Sequence, residues 1–242
     1  MLKKLIRHFK KDPGRCAAVI VAAGSSSRMQ GTDKIWASLE GEPLISHTVR
    51  VFQESPVIHE IILVAREDVQ DQLGTLCQEM GFDKVKIIVA GGDTRAHSVM
   101  KGLDHVSKGV KLVAVHDGAR PLVTMELVEA AVQGAARYHA AAPAIPVKDT
   151  IKSAENRIVT GTPDRSTLFA VQTPQVFDFD LLRGALQQAL ERTLPVTDDC
   201  SAVEALGMSV YLTKGSEENI KVTTPLDLIL ADAILKRRKE QV

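Results

Sequence analysis

Cysteine, net charge and long apolar runs are scarce in this sequence, and each shortage excludes a class of protein. The three cysteines lie far apart and form no C-x-x-C pair, which argues against a disulfide framework and a thiolate zinc site. Lys plus Arg and Asp plus Glu both total 30, so a role in coating nucleic acid is disfavoured. No apolar stretch approaches the roughly 18 to 20 residues of a membrane span, and no signal-peptide core appears. We therefore expect a protein of the reducing cytoplasm, with no membrane span and no nucleic acid as a partner.

The sequence also lacks the motifs of several common active sites. No G-x-G-x-x-G occurs, and Gly24 is not followed by a second Gly with Lys and Ser or Thr at the P-loop spacing. No G-x-S-x-G occurs, and no Cys and His lie close enough in sequence to suggest a nucleophile with its base. The absence of these motifs fits a site that works by positioning and charge neutralisation, such as one where an already ionised phosphate attacks a nucleoside triphosphate.

Composition and punctuation predict one domain with a short extension. With 45% hydrophobic residues among 242, the chain can bury one sizeable core. We assign residues 16–242 to this domain and residues 1–15 to a basic N-terminal extension. In the extension, Leu2, Leu5, Ile6 and Phe9 share one helical face. This pattern predicts a short helix or a segment packed on its own domain, with docking to a membrane surface or a partner as the alternative.

Between residues 16 and 146, short apolar runs alternate with amphipathic stretches. The runs lack polar alternation, as strands covered on both faces do; they predict strands at Ala17–Val21, Glu60–Val64, Val85–Val89, Leu112–Val115 and Ala142–Ile145. The amphipathic stretches predict helices at Pro43–Gln53, Asp68–Met80, Arg95–His105 and Met125–His139. Such alternation predicts an α/β fold with a mainly parallel sheet flanked by helices.

The segment after the first predicted strand is the most informative about function. Residues 22–34 are rich in Ala, Gly and Ser and include the cations Arg28 and Lys34. Small residues let backbone N–H groups turn toward an anion, and the two cations add full charges. Segments 91–98 and 116–121 also follow predicted strands, and the carboxyl ends of strands in an open sheet share one rim. We therefore predict a nucleotide site on this rim.

The second half of the chain departs from the alternation. Residues 147–152 and 161–166 are polar and β-leaning, and with the linking residues 154–156 they predict a two-stranded excursion that packs on something. Helices are predicted near Asp180–Arg192, after Asp199, and from Pro225 to about Arg238, with a strand near Val210–Thr213.

Seven segments, in order, resemble the 2-C-methyl-D-erythritol 4-phosphate cytidylyltransferase family. They are the 22–34 loop, G-G-D-T-R-A-H-S-V at 91–99, H-D-G-A-R-P at 116–121, D-T-I-K at 149–152, Q-T-P-Q at 172–175, T-D-D at 197–199 and N-I-K-V-T at 219–223. The resemblance implies a Rossmann-like nucleotidyltransferase domain and transfer of a cytidylyl group from CTP to 2-C-methyl-D-erythritol 4-phosphate. It also implies a homodimer formed through a protruding β-arm at about 147–170.

The resemblance implies roles for individual residues as well. The catalytic set is Arg28, Lys34, Lys221 and Arg165. CTP is expected to contact Ala22, Ala23, Gly24, Ser25, Gly92, Asp93, Arg95, Ser98, Asp117 and Gly118. The polyol phosphate is expected to contact Arg120, Thr150, Arg165, Thr173 and Lys221, with Thr150 and Arg165 supplied by the neighbouring subunit's arm.

Metal binding is expected to depend mainly on the nucleotide. Mg²⁺ sheds its waters reluctantly and is usually held through substrate phosphates. His116 and Asp117 could belong to a metal site, but the other histidines are scattered along the sequence. We therefore predict no metal site formed by the protein alone.

Two other functions compete with this interpretation. Ribitol-5-phosphate cytidylyltransferase would share the CTP site, although segments 116–121 and 146–152 resemble the erythritol enzymes more closely. A non-catalytic CTP-binding regulator is the alternative from another class. The presence of Arg28, Lys34 and Lys221 argues against it.

Overall fold

A computed structural model of the chain describes residues 14–24 and 33–240. The predictions for the N-terminal extension up to residue 13 and for Ser25 and Arg28 lie outside the described residues. No helix in these two ranges is long and apolar enough to cross a membrane.

Eight of the twelve described strands form one mixed sheet. Its parallel part contains, in spatial order, β6 (Leu112–Asp117), β1 (Cys16–Val21), β4 (Glu60–Ala65) and β5 (Val85–Ala90). On the other side of β6 lie antiparallel β11 (Gln175–Asp178) and then β7 (Ala140–Pro146). Strand β7 also pairs with two further strands. One is β10 (Phe169–Val171), which is antiparallel to it, and the other is β12 (Tyr211–Lys214), which is parallel to it. The prediction of an α/β fold with a mainly parallel sheet is confirmed.

Seven described helices accompany the sheet: α1 (Leu44–Glu54), α2 (Gln70–Glu79), α3 (Arg95–Leu103), α4 (Met125–Tyr138), α5 (Phe179–Glu191), α6 (Asp199–Ala205) and α7 (Pro225–Glu240). Because successive strand residues face opposite sides, β1 contributes to two cores. Ala18 and Ile20 pack in the core that includes residues of α1, α2 and α4, whereas Val19 packs in the core with residues of α3, α5 and α6. The expectation of two covered faces is confirmed for β1, β4 and β6, which are buried almost throughout.

Strand β5 departs from that expectation because it is an edge strand. It has one neighbour, β4, and Lys86 and Ile87 are exposed. The apolar run at 85–89 correctly predicted a strand. It gave the wrong burial, since an apolar sequence does not reveal which strand lies at the edge.

The excursion after β7 is a hairpin of β8 (Ser153–Glu155) and β9 (Ile158–Gly161), separate from the main sheet. Its turn is at Asn156 and Arg157, which both have positive φ, as a two-residue hairpin turn that matches strand twist requires. The predicted strands at 147–152 and 161–166 are therefore wrong in position. Sequence analysis also did not predict β10, β11 or the short pair β2 (Ser38–Leu39) and β3 (Glu42–Pro43).

A third, smaller core fixes the end of the chain to the domain. Leu39, Leu44 and Leu122 pack with Val222 and with Ala231 and Ile234 of α7. Val222 is fully buried, so this core fixes the backbone next to Lys221.

We predict that Gly102→Ala destabilises the fold although alanine favours helices. A Cβ at Gly102 would lie 2.5 Å from Val19 Cγ1 and 3.0 Å from Val64 Cγ2, so α3 must move away from the sheet. The expected loss in the free energy of unfolding is about 1–3 kcal/mol, the usual cost of overpacking, measured by urea unfolding.

Gly184→Ala is the matched control within a helix. Nothing lies within 4 Å of a Cβ at Gly184, so the substitution should stabilise the protein by roughly 0.5–1 kcal/mol. Equal effects of the two substitutions would contradict the close contact between α3 and the sheet.

Candidate active site

Three loops meet at the carboxyl ends of the parallel strands. They follow β1, β5 and β6, and they border a cavity of about 410 Å³. The cavity is lined by Val21, Ala22, Ala23, Gly24, Lys34, Gly92, Asp93, Thr94, Arg95, Ser98, Asp117, Ala119 and Lys221. The predicted common rim is therefore present in the fold.

Small residues allow these loops to lie against one another. A Cβ at Gly91 would lie 2.4 Å from Ala23 Cβ, and one at Gly118 would lie 3.0 Å from Ala22 Cβ. Backbone hydrogen bonds fix the same approach: Ala22 N donates to Val64 O at 2.7 Å and Gly118 N donates to Val21 O at 2.8 Å. Larger side chains would push the loops apart.

The loop after β5 is closed by its own side chains. Thr94 is the N-cap of α3, and its hydroxyl accepts a hydrogen bond from His97 N at 3.2 Å. Ser98 Oγ accepts from Gly92 N at 3.0 Å and lies 3.0 Å from Thr94 O. Ser98 thus holds the loop in a compact turn that presents Gly92 to the cavity.

Asp117 is the electrostatic centre of the site. Its side chain is 10% exposed, and three cations reach it: Lys221 Nζ at 3.0 Å, Arg120 Nε at 3.3 Å and Arg95 Nη2 at 3.6 Å. Burial alone would raise the pKa of Asp117, but the charges of these cations outweigh burial and hold its pKa well below the usual range. Asp117 is therefore ionised at neutral pH.

Arg95 also contacts a second buried carboxylate. Its Nη1 lies 2.5 Å from Asp199 Oδ2, and the Asp199 side chain is 1% exposed. Burial lowers the pKa of Arg95, but the charges of Asp199 and Asp117 outweigh it and raise this pKa above the usual value. Arg95 therefore stays charged while it lines the cavity.

His116 lies beneath Asp117 and is fully buried. Its Nδ1 is 2.9 Å from Thr173 Oγ1 and its Nε2 is 3.4 Å from Arg120 O. Burial lowers the pKa of His116 to about 3, so the imidazole is neutral. Thr173 Oγ1 also accepts from Asp117 N at 3.1 Å, so the His116 to Thr173 contact supports the backbone that carries the central carboxylate.

Lys221 is positioned by the residues on each side of it. Asn219, fully buried, donates from Nδ2 to Thr173 O at 3.0 Å, and its carbonyl accepts from Arg120 Nη1 at 2.6 Å. Val222 N donates to Ala119 O at 2.8 Å. With both neighbours fixed, the Lys221 side chain, 40% exposed, extends over Asp117.

Lys34 reaches the cavity from the described segment that begins at Asp33. A Cβ at Gly24 would lie 3.3 Å from Lys34 Nζ. Lys34 also lines the cavity. The preceding residue, Asp33, pairs with Arg66 at 2.6 Å, which fixes the start of this segment to the chain beyond β4.

Metal binding by side chains alone has little support in the described residues. Among residues 14–24 and 33–240, no group of three or more His, Cys, Asp or Glu side chains is placed to hold a metal ion. Two carboxylates, Asp93 and Asp117, are among the described residues that line the cavity.

Comparison with known proteins identifies the family. The model of the 2-C-methyl-D-erythritol 4-phosphate cytidylyltransferase family matches residues 16–237. The chain belongs to this family. It is 45% identical over 233 residues to the 2-C-methyl-D-erythritol 4-phosphate cytidylyltransferase of Desulforamulus reducens, with 93% of this chain and 97% of the relative covered. The resemblance inferred from the seven segments is confirmed.

Further relatives of the cytidylyltransferase family agree. The chain is 46% identical over 220 residues to the enzyme of that name from Bacillus velezensis, covering 90% of this chain and 94% of the relative. The crystal structure of 4-diphosphocytidyl-2C-methyl-D-erythritol synthase from Anaerococcus prevotii has a TM-score of 0.83 at 30% identity, covering 93% and 97% of the two chains. That of the Thermus thermophilus cytidylyltransferase has a TM-score of 0.75 at 31% identity, covering 90% and 98%.

The structure brings most of the predicted site residues to the cavity. Ten of them line it: Ala22, Ala23, Gly24, Lys34, Gly92, Asp93, Arg95, Ser98, Asp117 and Lys221. Two other predicted residues hydrogen-bond to Asp117: Arg120 to its side chain and Thr173 to its backbone N–H. Gly118 N donates to Val21 O. Thr150 and Arg165 are on the exposed arm, outside the described lining of the cavity.

Sequence reasoning assigned no role to four residues that support the site. Asp199 pairs with Arg95, His116 supports Thr173, and Asn219 fixes the Lys221 segment. Gln175 accepts from Asp199 N at 3.1 Å and donates to Asp198 Oδ2 at 2.7 Å. All four lie inside the segments that carried the resemblance, but their partners are distant in sequence, so a linear reading offers no signal for the contacts.

We predict that His116 makes the fold sensitive to mild acid. As pH falls below 6.5, the unfolded chain protonates this residue, whereas the folded chain does not until about pH 3. The free energy of unfolding should therefore decrease by about 1.4 kcal/mol per pH unit from this residue alone. In His116→Gln, which does not titrate, urea unfolding measured between about pH 6 and 4 should show a slope shallower by that amount.

The exposed residue His105 provides the control. His105→Gln makes the same substitution at an exposed position, so a change of slope that appears in His116→Gln and not in His105→Gln is specific to the buried position. If His116→Gln and wild type gave the same slope, His116 would not be held neutral by the fold.

Proposed function

We propose that the chain transfers the cytidylyl group of CTP to the phosphate of 2-C-methyl-D-erythritol 4-phosphate, giving 4-diphosphocytidyl-2-C-methyl-D-erythritol and pyrophosphate. The product is a precursor in the non-mevalonate route to isoprenoids. The observation that carries this conclusion is the convergence of Lys34, Arg95 and Lys221 on one cavity at the strand ends in a member of the cytidylyltransferase family.

The reaction requires little acid or base chemistry from the protein. An oxygen of the substrate phosphate, ionised at neutral pH, forms a bond to the α-phosphorus of CTP. The bond from this phosphorus to the oxygen bridging to the β-phosphorus breaks, and pyrophosphate leaves with the electron pair. A site of fixed cations suits such a reaction, because negative charge gathers on the five-coordinate phosphorus and on the leaving group.

The cations of the cavity take different roles in this proposal. Arg28 and Lys34 stabilise the triphosphate and the developing charge, and Lys221 bridges the nucleotide and the substrate phosphate. Lys34 is adjacent to Gly24, and both residues line the cavity. Arg120 is the substrate-phosphate contact of the proposal, although its side chain is only 12% exposed and has donors occupied by Asp117 and Asn219 O.

Cytosine is selected by backbone groups and small side chains. The backbone of Ala22 and Ala23 and the loop at Gly92, Asp93 and Ser98 line one part of the cavity. A close pocket that pairs the hydrogen-bonding groups of cytosine leaves a purine without space and without partners. Asp117 and Gly118 then face the ribose.

Mg²⁺ fits this donor set as a companion of the nucleotide. Its preferred ligands are oxygens, and the Asp117 carboxylate already balances three side-chain cations. The triphosphate would supply most of its ligands, and Asp117 would hold a water of the ion. Bound there, Mg²⁺ neutralises triphosphate charge.

The arm supports a homodimer in which subunits exchange residues. Ile158 is 72% and Val159 57% exposed, so the hairpin places apolar side chains in solvent when the chain is alone, as interaction surfaces do. Arg165, at the base of the arm, donates to Lys148 O at 2.7 Å. We propose that this arm brings Thr150 and Arg165 to the substrate of the neighbouring subunit.

We also propose that the protein acts in the cytoplasm. Its three cysteines are free thiols, which a reducing compartment favours.

Substrate specificity is the direct test of the activity. With Mg²⁺, we expect pyrophosphate release from CTP and 2-C-methyl-D-erythritol 4-phosphate, and little release when ATP or GTP replaces CTP, since a purine does not fit the base loop. Ribitol 5-phosphate, tested in the same assay, should be turned over weakly or not at all. Faster turnover of ribitol 5-phosphate would identify the other cytidylyltransferase activity, and CTP binding without turnover would identify a regulator.

Sharing of the site between subunits can be tested by complementation. Lys34→Ala should lower kcat by roughly 10²- to 10³-fold, and Arg165→Ala should also be a poor enzyme. After the two variants are unfolded and refolded together, about half of the dimers are mixed, and each mixed dimer has one intact site by isologous symmetry. Activity should therefore recover to roughly a quarter of wild type.

Lys34→Ala mixed with Lys221→Ala is the matched control. Both residues line the cavity of their own chain, so every site in a mixed dimer retains one defect and activity should stay low. Absence of recovery in the first mixture, with mixed dimers verified by mass spectrometry, would mean that Arg165 serves its own chain.

A further inference from the structure

We propose that Asp199 is the positioning residue for Arg95 in nucleotide binding: its buried carboxylate holds the guanidinium at the wall of the cavity. This inference rests on the proposed function, because it assigns Arg95 to the CTP site. It concerns a residue that lies behind the cavity lining and does not itself touch the ligand space.

The geometry around Arg95 is that of a bridge between two carboxylates. Nη1 is 2.5 Å from Asp199 Oδ2, and Nη2 is 3.6 Å from Asp117 Oδ1. Asp117 Oδ2 is engaged by Arg120 and Lys221. The shorter contact is with Asp199, so Asp199 provides the stronger restraint on the guanidinium.

Asp199 is itself held rigidly. It is the first residue of α6, and the side-chain Oε1 of Gln175 accepts hydrogen bonds from Asp199 N at 3.1 Å and Cys200 N at 3.2 Å. The Gln175 amide donates to Asp198 Oδ2 at 2.7 Å, and Gln175 is only 2% exposed. Asp199 cannot shift without breaking these contacts.

The contacts form a closed ring of residues beside the cavity. Gln175 follows Thr173 by two residues, and Thr173 Oγ1 accepts from Asp117 N at 3.1 Å. From Asp117 the ring continues through Arg95 to Asp199 and returns to Gln175. Arg95 and Asp117 both line the cavity, and Arg95 is the one of the two that Asp199 contacts, so a change at Asp199 reaches the ligand through Arg95.

The charge of Asp199 is needed for this role, and its volume is not. Asp199→Asn keeps the shape of the side chain but removes the charge that attracts the guanidinium. The guanidinium then keeps at most a neutral hydrogen bond at position 199, and its remaining ionic partner is Asp117 at the longer distance of 3.6 Å. Residues that orient the ligands of a metal ion typically change affinity or activity about 10- to 100-fold when they are replaced, and we expect an effect at the lower end of this range for Asp199.

The experiment measures the Kd for CTP by calorimetry and the steady-state constants in the full-length protein. For Asp199→Asn, we expect the Kd and KM for CTP to rise about 10-fold, with kcat and the KM for the polyol phosphate changed less than about threefold. Arg95→Gln should raise the same two constants at least as much. Arg95→Gln with Asp199→Asn should match Arg95→Gln alone within about twofold, because a residue that acts through Arg95 has no effect once Arg95 is gone.

Glu60→Gln is the matched control for the loss of a buried carboxylate. Glu60 is 2% exposed and pairs with Lys86 at 3.3 Å, at the amino end of β4, far from the rim that carries the site. Glu60→Gln should reduce the free energy of unfolding without changing the Kd or KM for CTP. The double variant buries neither charge of the ion pair, so it should be more stable than Arg95→Gln, which leaves Asp199 uncompensated.

Two results would overturn the proposal. One is an unchanged Kd for CTP in Asp199→Asn. The other is an additive loss in the double variant, which would mean that Asp199 acts independently of Arg95. If Asp199→Asn alone fails to fold, the comparison between Arg95→Gln and the double variant decides by the same criterion. A wild type that binds CTP but releases no pyrophosphate would refute the proposed function, while the Kd series would still test Asp199.

Discussion

The buried carboxylate of Asp117 is the group on which the geometry of the site depends. Removing a carboxylate from water costs several kcal/mol, and this cost is offset only while opposite charges remain in contact. Its three cations come from separate parts of the chain: Arg95 from the start of α3, Arg120 from the loop after β6, and Lys221 from the segment before α7. Charge balance at the two carboxylate oxygens of Asp117 therefore fixes the relative positions of three segments of the chain.

A neutral layer beneath the charges keeps this arrangement in register. His116, uncharged because it is buried, contacts Thr173, and Thr173 contacts the backbone of Asp117. Asn219 Nδ2 donates to the main-chain carbonyl oxygen of the same threonine. The small third core fixes Val222, next to Lys221, from below. Ionic attraction sets which groups meet, and hydrogen bonding and packing set where they meet.

The sequence was sufficient for the parts of the structure that depend on local patterns. Apolar runs located β1, β4 and β6, amphipathic periods located the long helices, and small residues with cations located the rim. It failed where burial or pairing depends on distant residues. The exposure of β5 follows from its place at the edge of the sheet, and the hairpin turn at Asn156 and Arg157 follows from a backbone geometry that composition did not reveal.

The same distinction applies to the site. Residues that line the cavity belong to loops rich in small and charged residues, so their types alone indicated a role. Asp199 and Asn219 look like ordinary polar residues in sequence, and their importance lies in partners on other elements. Such contacts become visible only when the chain is folded.

The charge balance around Asp117 also determines over what distance the site attracts a nucleotide. Among the described residues at the site, the four cations Arg95, Arg120, Lys221 and Lys34 stand against the three carboxylates Asp117, Asp199 and Asp93, which leaves one positive charge. The chain as a whole has a formal net charge of zero. At physiological ionic strength so small an excess is screened within about 8 Å. A nucleotide therefore experiences the attraction only when it is already at the rim, and its capture depends on random encounter and close contact, with little contribution from long-range steering.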